Sequence, residues 1–138
     1  MKHKVLAVLA FILLADFASA GPAGGTKDKR AVRPSFGKEL GEANLLTGIR
    51  SQNFGLRTSA AMLAGDIRSI KAVSALVDML KRETDERARI VAALSLYKIG
   101  DPIGIYAVKQ AARFDRSARV RKLCALFYLE YMKTAPEG

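Results

Sequence analysis

The sequence has one histidine, one cysteine and no tryptophan. Each shortage excludes a class of chemistry. The histidine is His3, inside a segment expected to be removed, so the remaining chain would hold none. Without histidine, Ser–His and Cys–His nucleophile pairs cannot be built. One thiol, Cys124, cannot close an internal disulfide. The chain must therefore hold together through an apolar core, with Cys124 expected as a buried structural thiol. No CxxC or Cys/His spacing occurs, which excludes the usual soft-ligand zinc site. No GxGxxG or P-loop pattern occurs either. Carboxylates remain open for acid–base work, but they are scattered over expected helix surfaces. The expectation is a protein that is not an enzyme and carries no cofactor or metal.

Long apolar runs are also scarce. Val5 to Ala15 is the one such run, and it follows Lys2, His3 and Lys4. It leads into Ala18-Ser19-Ala20 ahead of Gly21. A basic start, a short apolar stretch and small residues at a cleavage point are the layout of a secretory signal peptide. The run is too short for a membrane-spanning helix, which needs roughly 20 residues. Residues 1–20 are therefore expected to be a signal peptide, cleaved near Ala20-Gly21. The product would be exported, periplasmic or secreted, with no membrane span. Removing Lys2, Lys4 and Asp16 leaves 21 basic and 12 acidic residues, a net +9. Residues 21–37 read as a flexible leader, because three glycines, a proline and mixed charge begin it without apolar periodicity. Lys27, Lys29, Arg30 and Arg33 make it basic, which suits a solvated spacer or an electrostatic tether to an anionic surface.

From residue 38 to 138 the pattern is helical and repeats at an interval of 32. Leu56-Arg57, Ala88-Arg89 and Val120-Arg121 share that interval, as do Ala60-Ala61, Ala92-Ala93 and Cys124-Ala125. Asn53, Asp85 and Ser117 precede these segments in the same register, and each residue type favours a helix N-cap. Ser69 and Asp101 are also in register, and Pro102 follows where a helix can start. Val73, Leu76 and Leu80 match Ile105, Val108 and Ala112, one face of a helix. First helices are expected near 54–66, 86–99 and 118–132, and second helices near 70–82 and 102–113. Gly65-Asp66 and Gly100-Asp101 are expected in the turns between them. A helix near 38–50, with Leu45, Leu46 and Ile49, would precede the first pair. One pair cannot bury its own apolar face, but stacked pairs share a core. The fold class is all-α, a short α-solenoid of antiparallel helix pairs, about two and a half repeats.

Residues 63–85, LAGDIRSIKAVSALVDMLKRETD, and residues 88–102, ARIVAALSLYKIGDP, resemble the HEAT-repeat family. They are also similar to the HEAT-like repeats of phycobilisome lyases and bacterial adaptor proteins. A small exported bacterial-type member is the form such a resemblance suggests. It implies a scaffold that binds another protein, and it is nearly silent on which one. It also implies that Arg57, Arg89 and Arg121 form a polar ladder between repeats, with a basic ligand-binding row as the alternative. In such stacks the second helices line a binding side. Here that side would present Lys71, Ser74, Asp78 and Lys81, then Tyr106, Lys109, Gln110 and Arg113. It is either a solvated face or a platform for an acidic protein segment or other anion.

The last helix is apolar around much of its circumference, with Leu123, Leu126, Phe127, Tyr128, Leu129, Tyr131 and Met132. A terminal repeat ordinarily turns a polar side to water. Phe127, Tyr128 and Tyr131 are therefore expected to form an apolar end interface, self-association included, unless the helix folds back as a cap. The function expected is an exported, non-enzymatic protein-interaction module. The alternative is an electrostatic binder of lipid head groups, acidic glycan or nucleic acid, which the basic charge allows.

Overall fold

The computed structural model describes residues 34–135, with side chains described from Leu40 onward. The signal peptide and nearly all of the leader lie outside the described residues. Six α-helices follow in order: α1 (Pro34–Ile49), α2 (Phe54–Asp66), α3 (Val73–Arg82), α4 (Glu86–Ile99), α5 (Pro102–Phe114) and α6 (Ala118–Thr134). A 3-10 turn, Ile70–Ala72, leads into α3. No strand occurs among the described residues. Helix α1 opens at Pro34, ahead of the expected leader boundary at residue 37. Proline is tolerated in a first turn, where its missing N–H has no intrahelical partner.

Repeated caps set the boundaries. Asn53 accepts a hydrogen bond from Leu56 N, Asp85 from Arg87 N and Ser117 from Val120 N. Asp101 caps α5 by accepting from Ile103 N and Gly104 N. Ser69, in register with Asp101, differs: its side chain makes no cap bond and is buried. The turns also differ from the sequence reading. Gly65 and Asp66 close α2 rather than leave it. The left-handed backbone position falls on Arg68 (φ 52°), in register with Gly100 (φ 74°). Asp66 instead pairs with Lys98, Nζ to Oδ1 2.6 Å.

The helices form two layers. Helices α2, α4 and α6 pack side by side in one, and α1, α3 and α5 in the other. Across the layers, α1 packs on α2, α3 on α4, and α5 on both α4 and α6. The short connections make sequential neighbours antiparallel. Helix α4 is the centre, with every residue from Ala88 to Leu96 buried. A helix apolar all round needs neighbours all round, and α4 has them. The expected inward stripe of α3, Val73, Leu76 and Leu80, is buried throughout. In α5, Ile105 and Val108 are buried and Ala112 is half-buried.

Gly65 serves packing. A Cβ added there would lie 2.7 Å from Ser95 Cα and 2.8 Å from Ser95 Cβ, so α2 and α4 touch nearly backbone to backbone. On a free helix Gly→Ala stabilises by about 1 kcal/mol. Here Gly65→Ala is expected to cost about 1–3 kcal/mol by overpacking, because backbone cannot swing aside. Thermal unfolding checks the sign.

Candidate partner-binding face and arginine ladder

Helices α3 and α5 turn the same side of their layer to solvent. Lys71, Ser74, Asp78 and Lys81 are exposed, as are Tyr106 and Arg113, while Lys109 and Gln110 are half-buried. The structure thus places seven of the eight expected residues on two neighbouring helices and Lys71 on the 3-10 turn that leads into α3. Some of their polar groups are engaged locally. Lys71 Nζ lies 2.9 Å from Glu42 Oε2, tying the 3-10 turn to α1. Lys109 Nζ sits 5.4 Å above the Tyr128 ring, a cation–π contact that orders both side chains. Asp78 is loosely paired with Arg82 at 3.9 Å, a surface contact of little weight.

Between the two helices, toward their C-terminal ends, lies a cavity of about 340 Å³. Leu80, Ala107, Ala111 and Phe114 supply apolar lining, and Lys81 and Arg116 supply positive charge. Two of these were not legible. Phe114 is 75% exposed and lies off the Ile105–Val108–Ala112 stripe, which is the one signal that could have flagged it. Arg116 sits in the α5–α6 loop and donates from Nη2 to Glu83 O at 2.7 Å. No local pattern carries a contact across 33 residues.

The cavity wall includes the central step of an arginine ladder. Arg89 Nε and Nη2 donate to Asp115 Oδ2 and Oδ1 at 2.9 and 3.0 Å. Its Nη1 donates to the carbonyls of Glu83 and Thr84, both at 2.9 Å. Arg57 repeats the plan in register. Its Nη1 donates to Ser51 O and Gln52 O at 2.8 and 3.2 Å, and its Nη2 to Glu83 Oε2 at 3.2 Å. Arg57 Nε adds an ion pair with Glu83 Oε1 at 2.5 Å, off the hydrogen-bonding angle. Arg121 donates to Asp115 O and Arg116 O at 2.7 and 3.3 Å. Each arginine thus ties its own N-terminal loop, and the first two reach a carboxylate 26 residues ahead. This gives the loop carbonyls a fixed donor, and Glu83 O and Thr84 O share theirs with Arg116. The central step is closed to solvent, since Arg89 and Asp115 side chains are 3% and 7% exposed.

The helix pairs are thus capped in register, and an arginine at the same position of each repeat ties the loop before it. The family model for HEAT repeats matches residues 42–126. The chain belongs to the HEAT-repeat family. A comparison with curated proteins returned no match. HEAT repeats commonly serve protein–protein interaction and are typically non-catalytic scaffolds.

The end of this HEAT stack corrects one expectation. Phe127 is 1% exposed, and its ring stacks on Tyr97 at 5.7 Å between centroids. It is core, not interface, because α4 lies against that side of α6. Tyr128 and Tyr131 are half-buried. The exposed apolar side chains of α6 are Leu126, Leu129 and Met132.

Cys124 is fully buried, and burial pushes its thiol up to about 12. The nearby Asp115 carboxylate adds to the shift and Arg89 opposes it. Below an ordinary thiol pKa near 9 both folded and unfolded forms keep the proton, so Cys124 is neutral for stability there. Between about 9 and 12 the unfolded chain ionises first, so stability falls as pH rises. At pH 8 a thiol reagent is expected to label Cys124 only in denaturant, at the rate of a free cysteine. Rapid labelling of native protein would show the thiol to be accessible.

Among the described residues, no group of three or more His, Cys, Asp or Glu could hold a metal ion. None of the described helices is long and apolar enough to cross a membrane.

Proposed function

We propose that this HEAT-repeat protein is an exported, non-enzymatic interaction module that binds a partner protein through the outer side of α3 and α5. One observation carries the reading. A face rich in Lys71, Lys81, Tyr106, Lys109 and Arg113 adjoins a cavity with apolar lining and a basic rim. An apolar pocket beside a few polar groups is what an anchoring side chain requires. The basic rim favours a partner segment carrying carboxylates beside an apolar anchor. The signal-peptide layout of residues 1–20 supports export to the periplasm or beyond.

A second reading is supported by the net charge of +9 left after residues 1–20. In it the face binds an anionic surface or polymer: lipid head groups, acidic glycan or nucleic acid. Salt separates the two, because polyanion binding falls steeply as counterions compete. The test is a pull-down from the extracytoplasmic fraction with the chain from Gly21, washed at low and high salt. A Lys81→Glu/Arg113→Glu variant serves as control. A protein retained at both salts, and lost by the variant, supports the interaction module. Retention of anionic material alone, lost at high salt, rejects it in favour of the second reading.

A further inference from the structure

The two ends of the α2–α4–α6 layer expose apolar side chains at positions that the central helix buries. On α2, Leu56 and Leu63 are 55% and 49% exposed. Their partners in register on α4, Ala88 and Ser95, are 0% and 1% exposed. Those two lie seven residues apart on one helix face, the face that meets α2 at Gly65. On α6, Leu126 and Leu129 are 47% and 56% exposed. Their partners in register are Leu94, which is buried, and Tyr97, which stacks on Phe127 of α6. So α2 exposes the side with which α4 meets the preceding helix. Helix α6 exposes the side with which α4 meets the following one. Leu40 on α1 repeats the pattern, exposed where Ala72 is buried.

We propose that a second copy of this chain docks head to tail, its α2 seated on α6 as α6 is seated on α4, with Leu129 and the incoming Leu63 in the places of Tyr97 and Phe127. The incoming α1 would then lie beside α5 and continue the α1–α3–α5 layer. The arginine ladder gives an independent check on the register. Arg57 takes Glu83 and Arg89 takes Asp115, whereas among the described residues Arg121 takes carbonyls only. In the head-to-tail register, the place of Glu83 and Asp115 falls to Ser51 of the incoming copy. A hydroxyl there gives Arg121 a weaker partner than a carboxylate. The junction is therefore looser than the joints inside the chain, and two basic copies repel. Association is reversible, and it strengthens with salt as that repulsion is screened. The contact is heterologous, so it propagates rather than closing at two copies.

Sedimentation velocity tests this on the chain from Gly21, which keeps the compact unit Val32–Gly138 intact. Average mass should rise with concentration, and further with salt. Leu63→Glu and Leu126→Glu each block one end, so each variant alone should be monomeric. Mixed, the two retain one productive pairing and should form a one-to-one dimer and nothing larger. Ser51→Asp should tighten association roughly tenfold by giving Arg121 its carboxylate, and Arg121→Gln should remove that gain. Circular dichroism confirms that each variant is folded. A wild-type chain that stays monomeric at every concentration and salt would overturn the proposal. So would a mixture of folded variants that forms no dimer. Capture of a different protein or of lipid by a monomeric wild type, lost in Leu126→Glu, would overturn it and assign the end face to that occupant. None of these substitutions lies on α3 or α5, so they leave the interaction-module reading to its own test.

Discussion

Replacing Arg89 by alanine is expected to destabilise the protein by about 3–5 kcal/mol, the cost of stranding a buried charge when its partner is removed. The substitution strips Asp115 of both its guanidinium bonds and leaves the carbonyls of Glu83 and Thr84 without that donor. With both side chains under a tenth exposed, water cannot make good the loss. Domains of this size are held by only about 5–15 kcal/mol, so the variant would be partly unfolded at moderate temperature. The other arginines supply the control. Arg57 and Glu83 are 16% and 17% exposed, so Arg57→Ala should cost less. Arg121 lacks a carboxylate partner among the described residues and should cost least. Urea denaturation of the three variants should give the order Arg89, Arg57, Arg121. Equal losses would mean that the arginines act only through their carbonyl bonds, which all three share.

Phe127→Ala is expected to cost about 3–5 kcal/mol, the range for emptying a buried aromatic site. The ring is among the largest fully buried side chains and packs flat on Tyr97, 16° from parallel. Its neighbour Leu126 is 47% exposed, so Leu126→Ala should stay within about 0.5 kcal/mol. A reversed order in thermal or urea unfolding would mean that α6 sits rotated on α4.

That pair of residues also shows where sequence reasoning runs out. Leu126 and Phe127 are adjacent, both apolar, on a helix apolar almost all round. Periodicity alone could not say which side α4 covers, so Phe127 read as interface while Leu126 and Leu129 carried the exposure. The repeat itself was legible, because each cap and small pair has a local cause. Asn53, Asp85 and Ser117 cap helices that begin where the sequence places them. The pairs Ala60-Ala61 and Ala92-Ala93 are buried, as close helix contact requires. The ladder arginines were legible as positions but not as bonds. Glu83 and Asp115 stand 26 residues from Arg57 and Arg89, and only stacking brings them together. Gly65 misled for a physical reason. Glycine marks a turn or a close approach with equal strength, and here it lets α2 touch Ser95. The turn fell instead to Arg68, a residue type with no preference for a left-handed backbone.

The proposed binding face was legible as a set of outward residues, because Lys71, Ser74, Asp78 and Lys81 avoid the buried stripe of α3. The adjoining cavity was not, since it depends on how far α3 and α5 stand apart. Whether that face meets a partner protein is tested most directly by lysine acetylation footprinting. The chain from Gly21 would be labelled alone and with the partner retained by the pull-down. Lys71, Lys81 and Lys109 should be protected in the complex, and Lys98 and Lys133, which lie on α4 and α6, should be labelled equally in both. Protection confined to Lys98 or Lys133, or no protection at any lysine, would contradict a partner site on α3 and α5.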